Sequence, residues 1–326
     1  MSKRHLARVP LAVFLCLSSL FWVFATALAE EPMKVTMILW DGSTLNEEGF
    51  RAGLHEAGYT VNFDIFDAHG DVQTLHAILQ QRQPFQQTRL LYVATATVLK
   101  ATLEKSQDIP IIFRIDSHAA THDIGATLKQ SYPQITGICN NVQFAIQQQA
   151  IRQLLTIRRL GFIYDPSNDD AMAEQHYLSQ VAAQDQFTLV EAQASDPTRI
   201  PAAIETLVHA KVDVLYLPPD PFVIRYSKTI VQLATQRLIP TFTGVERLVL
   251  ESGVLFALAG NSFAMGKIAA RQAAQILQGE SPMNIPVVHS TNFAPVINLD
   301  TAKALHMTIP VSVLLAAKKV QTTPIQ

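Results

Sequence analysis

Residues 161–171 read Gly-Phe-Ile-Tyr-Asp-Pro-Ser-Asn-Asp-Asp-Ala (GFIYDPSNDDA). An apolar run, Gly161 to Tyr164, stops at Asp165-Pro166-Ser167-Asn168, and a helical pattern follows at once from about Asp169 to Ala183. A short apolar run bounded by a proline turn reads as a buried strand. Ser167 with Asp170 three residues on has the spacing of a helix cap. A strand that turns directly into a helix is one half of a βαβ unit.

The same unit recurs outward in both directions. Strands are predicted at Lys34–Leu39, Thr60–Phe66, Leu90–Ala94, Ile109–Ile115, Gly137–Cys139, Arg159–Tyr164, Phe187–Ala192, Val212–Leu217, Thr241–Thr243 and Val254–Leu258. Helical patterns fill the intervals: Glu47–Ala57, Asp71–Gln81, Thr97–Lys105, Phe144–Thr156, Asp169–Ala183, Ile200–Ala210, Tyr226–Gln236 and Ala264–Leu277. Strict alternation implies parallel sheets, and runs such as LLYVA and VLYL, apolar on both faces, imply helices on both sides. The pattern restarts near Arg159. The expected fold is therefore α/β, with two similar doubly wound parallel-sheet lobes joined by a hinge that the chain crosses several times. The expected division is 30–140 plus 264–288 for the N-terminal lobe and 141–263 plus 289–326 for the C-terminal lobe. The crossings fall near Asn140-Asn141, Ser262-Phe263 and Val288–Asn292, and the tail after Lys319 is expected to fray.

Residues 1–29 read as a secretory signal peptide. Lys3, Arg4 and Arg8 precede an apolar stretch from Leu11 to about Ala25, and Ala27-Leu28-Ala29 offers small residues for cleavage after Ala29. The alternative is an uncleaved anchor over Leu11 to Ala29, a stretch long enough to span a bilayer. Loss of Lys3, Arg4 and Arg8 would take the formal net charge from −2 to −5. No basic stripe exists, so composition offers nucleic acid no electrostatic footprint. At 48% hydrophobic and 16% charged residues, the chain can build a large core without disulfides. Cys139, alone in the mature part, is expected to be buried packing.

Ligands of open α/β sheets sit beyond the carboxyl ends of the strands, so the turns there carry the information. They hold Trp40, Asp41, Gly42 and Ser43 after the first strand, then Thr95 and Thr97, then Arg114, Asp116, Ser117 and His118. The second half supplies Asp165, Ser167 and Asn168, then Asp220 and Phe222, then Glu246, then Asn261, Ser262 and Phe263. Free N–H groups where a helix begins can hold an anionic group.

These segments together resemble a periplasmic substrate-binding protein of an ABC importer, of the tryptophan/tyrosine type with the type I two-lobe fold. The resemblance is carried by GFRAGLHEAGY (49–59), IPIIF (109–113), ITGICNN (135–141) and GFIYDPSNDDAMAEQHYLSQVAA (161–183). It continues through VDVLYLPPDP (212–221), residues 239–282 and PVINLDTAKALHMTIPVSVL (295–314). It implies a monomeric periplasmic binding protein, without cofactor or catalysis, that closes on a small ligand and serves an ABC permease. A membrane sensor is the alternative partner. The cleft departs from the family pattern. Ala94-Thr95-Ala96 replaces Gly-Thr-Pro, Asp165-Pro166-Ser167 replaces Asn-Pro-Ser, Pro219-Asp220-Pro221 replaces Thr-Asp-Asn, Gly244-Val245-Glu246 replaces Ser-Asp-Glu, and Arg114 stands where a small residue is usual.

Arg114 at the end of an apolar strand needs a partner, since a lone buried guanidinium is costly. Asp116 or Asp41 could be that partner. Otherwise its planar fork suits a ligand carboxylate or phosphate. Asp220 and Glu246 could then hold an ammonium, with Trp40, Phe222 and Phe263 covering an apolar side chain. Two further readings stay open. Asp116, His118 and His122 could form a metal site, with the histidines at i and i+4. Gly260-Asn261-Ser262-Phe263-Ala264 resembles a nucleophile elbow, but its last glycine is missing, and Asp300 and His306 would have to complete a triad from one short segment.

Overall fold

The computed structural model describes residues 33–106, 108–116 and 128–322. The expected leader, His118 and His122 lie outside the described residues. In chain order the elements are β1 (Met33–Leu39), α1 (Leu45–Glu56), β2 (Val61–Asp67), α2 (Val72–Gln80), β3 (Leu90–Ala94), α3 (Ala96–Leu103), β4 (Ile111–Ile115), β5 (Ile135–Cys139) and α4 (Phe144–Ile151). There follow β6 (Arg159–Tyr164), α5 (Asp169–Asp185), β7 (Thr188–Gln193), α6 (Ile200–His209), β8 (Val214–Leu217), α7 (Pro221–Arg225), α8 (Ser227–Gln236), β9 (Thr241–Thr243), α9 (Glu246–Ser252), β10 (Phe256–Gly260) and α10 (Ser262–Leu277). The chain ends with β11 (Val288–His289), β12 (Phe293–Asn298), α11 (Leu299–Ala304), α12 (Val311–Ala316) and β13 (Lys318–Val320).

The strands form two sheets, ordered β11-β5-β4-β3-β1-β2 and β13-β12-β10-β9-β8-β6-β7. Each is the centre of one lobe of a type I binding-protein fold. Every residue of β3, β4, β5, β8, β9 and β10 is buried, as expected of strands covered on both faces. Pairing is parallel in the first sheet throughout. The second sheet departs from the expected all-parallel pattern, because β12 runs antiparallel to β10. Pro295, which has no N–H for a ladder, hides this strand in the sequence. The tail is also corrected: Lys318–Val320 pairs in parallel with β12, and the Asn298 amide donates to Thr322 Oγ1 at 2.9 Å.

The chain leaves the first sheet after β5, returns after β10 through α10, and leaves again after β11. Helix α10 packs against α1 so closely that a Cβ on Gly266 would lie 2.0 Å from the Asn46 carbonyl oxygen, which explains glycine there. The three crossings converge at Gly260, whose added Cβ would lie 2.6 Å from both Asn140 Oδ1 and Ser290 Oγ. Gly260→Ala is therefore expected to destabilise the protein by about 1–3 kcal/mol through overpacking. Urea unfolding measures this, and a change within about 0.5 kcal/mol, the ordinary surface range, would refute the close packing.

Candidate functional site

The carboxyl ends of both sheets face one another across a cavity of about 370 Å³. The first lobe contributes Trp40–Asn46, Thr95–Thr97, Arg114 and Asp116, and the second contributes Gln147, Glu174, Tyr216 and Gly244–Glu251 residues, with Asn140, Gly260 and Ser262 at the crossings. A larger outer groove of about 820 Å³ adjoins it and shares Trp40 and Thr97. At its rim the lobes touch: the Arg225 guanidinium donates to the His69 carbonyl and lies 3.9 Å from Asp41 Oδ1.

The floor of the first lobe is a buried charge network. Thr44 caps α1, and its N–H and hydroxyl both donate to Glu47 Oε2 at 2.6 Å, closing a capping box. Tyr92 Oη donates to Glu47 Oε1 at 2.8 Å, and Arg114 Nε lies 3.1 Å from the same oxygen. Arg114 Nη1 donates to Asp116 Oδ2. Burial would raise the Glu47 carboxyl, but the Arg114 charge and the Thr44 and Tyr92 hydrogen bonds hold it below the usual range. Burial raises Asp116, and Arg114 only partly offsets this. So Arg114 is already engaged by two carboxylates. Asp116 is one of the two partners expected, whereas Asp41 faces Arg225, and the second partner, Glu47, was not expected.

The turn above this network is strained. Thr95 caps α3 with φ 84° and ψ 156°, a region that a β-branched residue rarely enters. Its N–H donates to the Arg114 carbonyl at 2.8 Å, which ties the two turns together. Such strain concentrates at binding sites.

Of the residues singled out in the sequence, Trp40, Asp41, Thr95, Thr97, Arg114, Asp116 and Glu246 line the inner cavity. Asp165, Ser167, Asn168, Asp220 and Phe222 line the outer groove instead. The helix after the Asp-Pro-Ser turn is capped by Asn168, whose Oδ1 accepts from Ala171 N at 2.9 Å. Ser167 is not the cap: its N–H and hydroxyl donate to Asp165 Oδ1, a turn closed within itself. Asp220 is spent on backbone, accepting from Phe222, Val223 and Asp165 N–H groups, so its carboxylate is not free for an ammonium. Glu246 pairs with Lys318 at 2.8 Å. Asn261 caps α10, and Phe263 lines neither cavity, with the Lys267 ammonium 5.3 Å over its ring. Burial pushes the Cys139 thiol up to about 12, which keeps it protonated and unreactive. Among the described residues no group of three potential metal ligands assembles.

Sequence reasoning missed Glu174. It lies on α5, 4% exposed, with Oε1 accepting from Tyr216 Oη at 3.4 Å and Oε2 without a partner. Burial raises its carboxyl to about 7, and the Tyr216 hydrogen bond only partly counters it. The sequence signal was slight: a glutamate one turn into a helix otherwise looks solvated.

The family model for ABC transporter substrate binding proteins matches residues 34–321 of this chain. The chain belongs to that family. Family members bind solutes and are not enzymes, which removes the nucleophile-elbow reading of Ser262. A tyrosine-binding protein of Clostridioides difficile (strain R20291) is 25% identical over 266 residues, covering 80% of this chain and 76% of its own length. Among solved structures, a conserved domain protein from Vibrio cholerae matches with a TM-score of 0.80 and 24% identity, over 89% of this chain and 100% of that one. An ABC domain in complex with L-Trp from Streptococcus pneumonia matches with a TM-score of 0.77 and 22% identity, over 88% of this substrate binding protein and 99% of that chain.

Proposed function

We propose that the protein is an exported solute receptor that takes an amino-acid-like small molecule into the interlobe cavity and presents it to an ABC permease. The observation that carries this is the 370 Å³ cavity, enclosed by turns from both lobes and large enough for one such molecule. The tyrosine-binding relative and the L-Trp complex support the choice of ligand class. On this reading residues 1–29 serve as the export signal and the mature protein works in the periplasm. Residues 30–140 with 264–288 move against 141–263 with 289–326 about the crossings near Gly260. The ligand favours the closed arrangement by touching both lobes at once, and Arg225 against His69 and Asp41 is the contact that closure makes at the rim.

The test is a thermal-shift panel of the purified protein with L-tyrosine, L-tryptophan, L-leucine and sugars as controls. A ligand at a hundredfold excess over its dissociation constant adds about 2.7 kcal/mol, which raises Tm by several degrees. A shift with sugars and none with amino acids would replace the ligand class.

A further inference from the structure

The inner cavity holds an imbalance that closure does not resolve. Six carboxyl groups line it (Asp41, Glu48, Asp116, Glu174, Glu246 and Glu251), against two guanidinium groups, Arg114 and Arg247. Both guanidiniums are engaged, Arg114 by Glu47 and Asp116, and Arg247 by Glu251 at 4.0 Å. The buried polar atoms without partners are mostly acceptors. Among the described lining residues they are Asp116 Oδ1, Glu174 Oε2, Gln147 Oε1, Asn140 Oδ1 and Asn46 Oδ1, against Trp40 Nε1 as a donor, Arg114 Nε being ion-paired with Glu47. The Gln147 orientation is fixed, because its Nε2 donates to the Val142 carbonyl at 2.7 Å. Buried acceptors left empty are costly, and the complementary guest is a group rich in donors.

We propose that the cavity recognises its ligand by a protonated amine, bound by Asp116 from the first lobe and Glu174 from the second, and that this amine matters more than any ligand carboxylate. The inference rests on the solute-binding reading above and deepens it: the ligand class is primary amines, amino acids included. Of the two sequence readings of Arg114, it sets aside the ligand carboxylate and keeps the pairing with Asp116. An ammonium brings three donors and a charge, and reaching both lobes at once makes it an agent of closure. The groups facing Glu174 are Tyr216 from β8 and Tyr177 on its own helix. Asp116, Arg114 and Arg247 line the same cavity. Because Glu174 titrates at about 7, amine binding at pH 6 expels its proton, and affinity rises about tenfold between pH 6 and pH 8.

The test is calorimetric titration of the purified protein with two matched sets: L-tyrosine, tyramine and 3-(4-hydroxyphenyl)propionate, and L-leucine, isoamylamine and 4-methylpentanoate. The amine of the binding set is expected to outbind the acid of that set by about tenfold or more, the range of one charge-assisted hydrogen bond. Glu174→Gln is expected to weaken the amine about tenfold or more at pH 8 and to flatten the pH rise, while Glu174→Asp restores part of both. An acid that outbinds its amine, or amine affinity unchanged in Glu174→Gln, overturns the proposal and leaves the solute-binding reading standing. Silence from all six compounds removes the amino-acid-like ligand class itself, and this proposal with it.

Discussion

Arg114→Ala is expected to cost roughly 3–5 kcal/mol of folding stability, the largest loss of any single cleft substitution. The reason lies in what remains. Glu47 is fully buried, and its charged form is held by Arg114 as well as by Thr44 and Tyr92. Removing the guanidinium strands that carboxylate and takes from Asp116 Oδ2 its donor, on a side chain that is only partly exposed. Neither the pair's net worth nor its Coulomb energy sets the magnitude; the uncompensated buried charge does. Guanidinium unfolding of the ligand-free protein measures it. The companion substitution separates the causes: Glu47→Gln together with Arg114→Met takes out both charges at similar volume and is expected to recover most of the loss. A loss below about 1 kcal/mol in Arg114→Ala would show that Arg114 stands free, and its role as a ligand contact would return. A corollary concerns binding assays: reduced affinity in Arg114→Ala reports damage to the floor of the site before it reports a lost contact.

How much of this could be read from the sequence depends on the range of the interaction. The proline turns after β6 and β8, and the apolar runs before them, are local, so the alternating architecture was visible in Tyr164-Asp165-Pro166 and Leu217-Pro218-Pro219. Asp116 as a partner of Arg114 was visible because the two are neighbours on one strand end. Glu47 was not, because its local role as the third residue of a capping box accounts for it completely, and only the packing of α1 over β3 and β4 brings it beneath Arg114. Asp220 misled in the opposite direction. A carboxylate in a cleft turn invites a ligand role, but a proline at the next position opens a helix there, and the orphan N–H groups of α7 take the carboxylate first. Phe263 misled because the first turn of a helix fixes no direction for a side chain until its neighbour is known, and here its backbone lies against Gly49 of α1 and its ring lines neither cavity. The missed strands β12 and β13 lie where Pro295 and two lysines obscure the apolar pattern, and pairing of β12 with β10, and of β13 with β12, decides their state.

Glu174→Gln is expected to stabilise the ligand-free protein above neutral pH by about 3 kcal/mol and to do nothing below pH 4.5. The sign follows from proton counts. The Glu174 carboxyl titrates at 4.5 in a solvated chain and at about 7 in the fold, so between those values the folded state holds the extra proton. Stability contributed by this residue is full below 4.5, falls as pH rises toward 7, and stays low above it. Glutamine fills the same space and accepts the Tyr216 hydrogen bond without a charge to desolvate. Asp116 and Asp220 are also raised, and Glu47 is lowered, so the whole protein's pH profile mixes these signs. The difference between wild type and Glu174→Gln isolates one group, and Tm measured from pH 5 to pH 8 should show the two curves diverging as pH rises. Parallel curves would mean that water reaches the carboxylate and that the cavity does not hold it dry. Divergence that vanishes when a bound amine is present would tie the residue's instability to its use: the fold keeps a carboxylate buried without a counter-charge at a cost that a cationic guest removes.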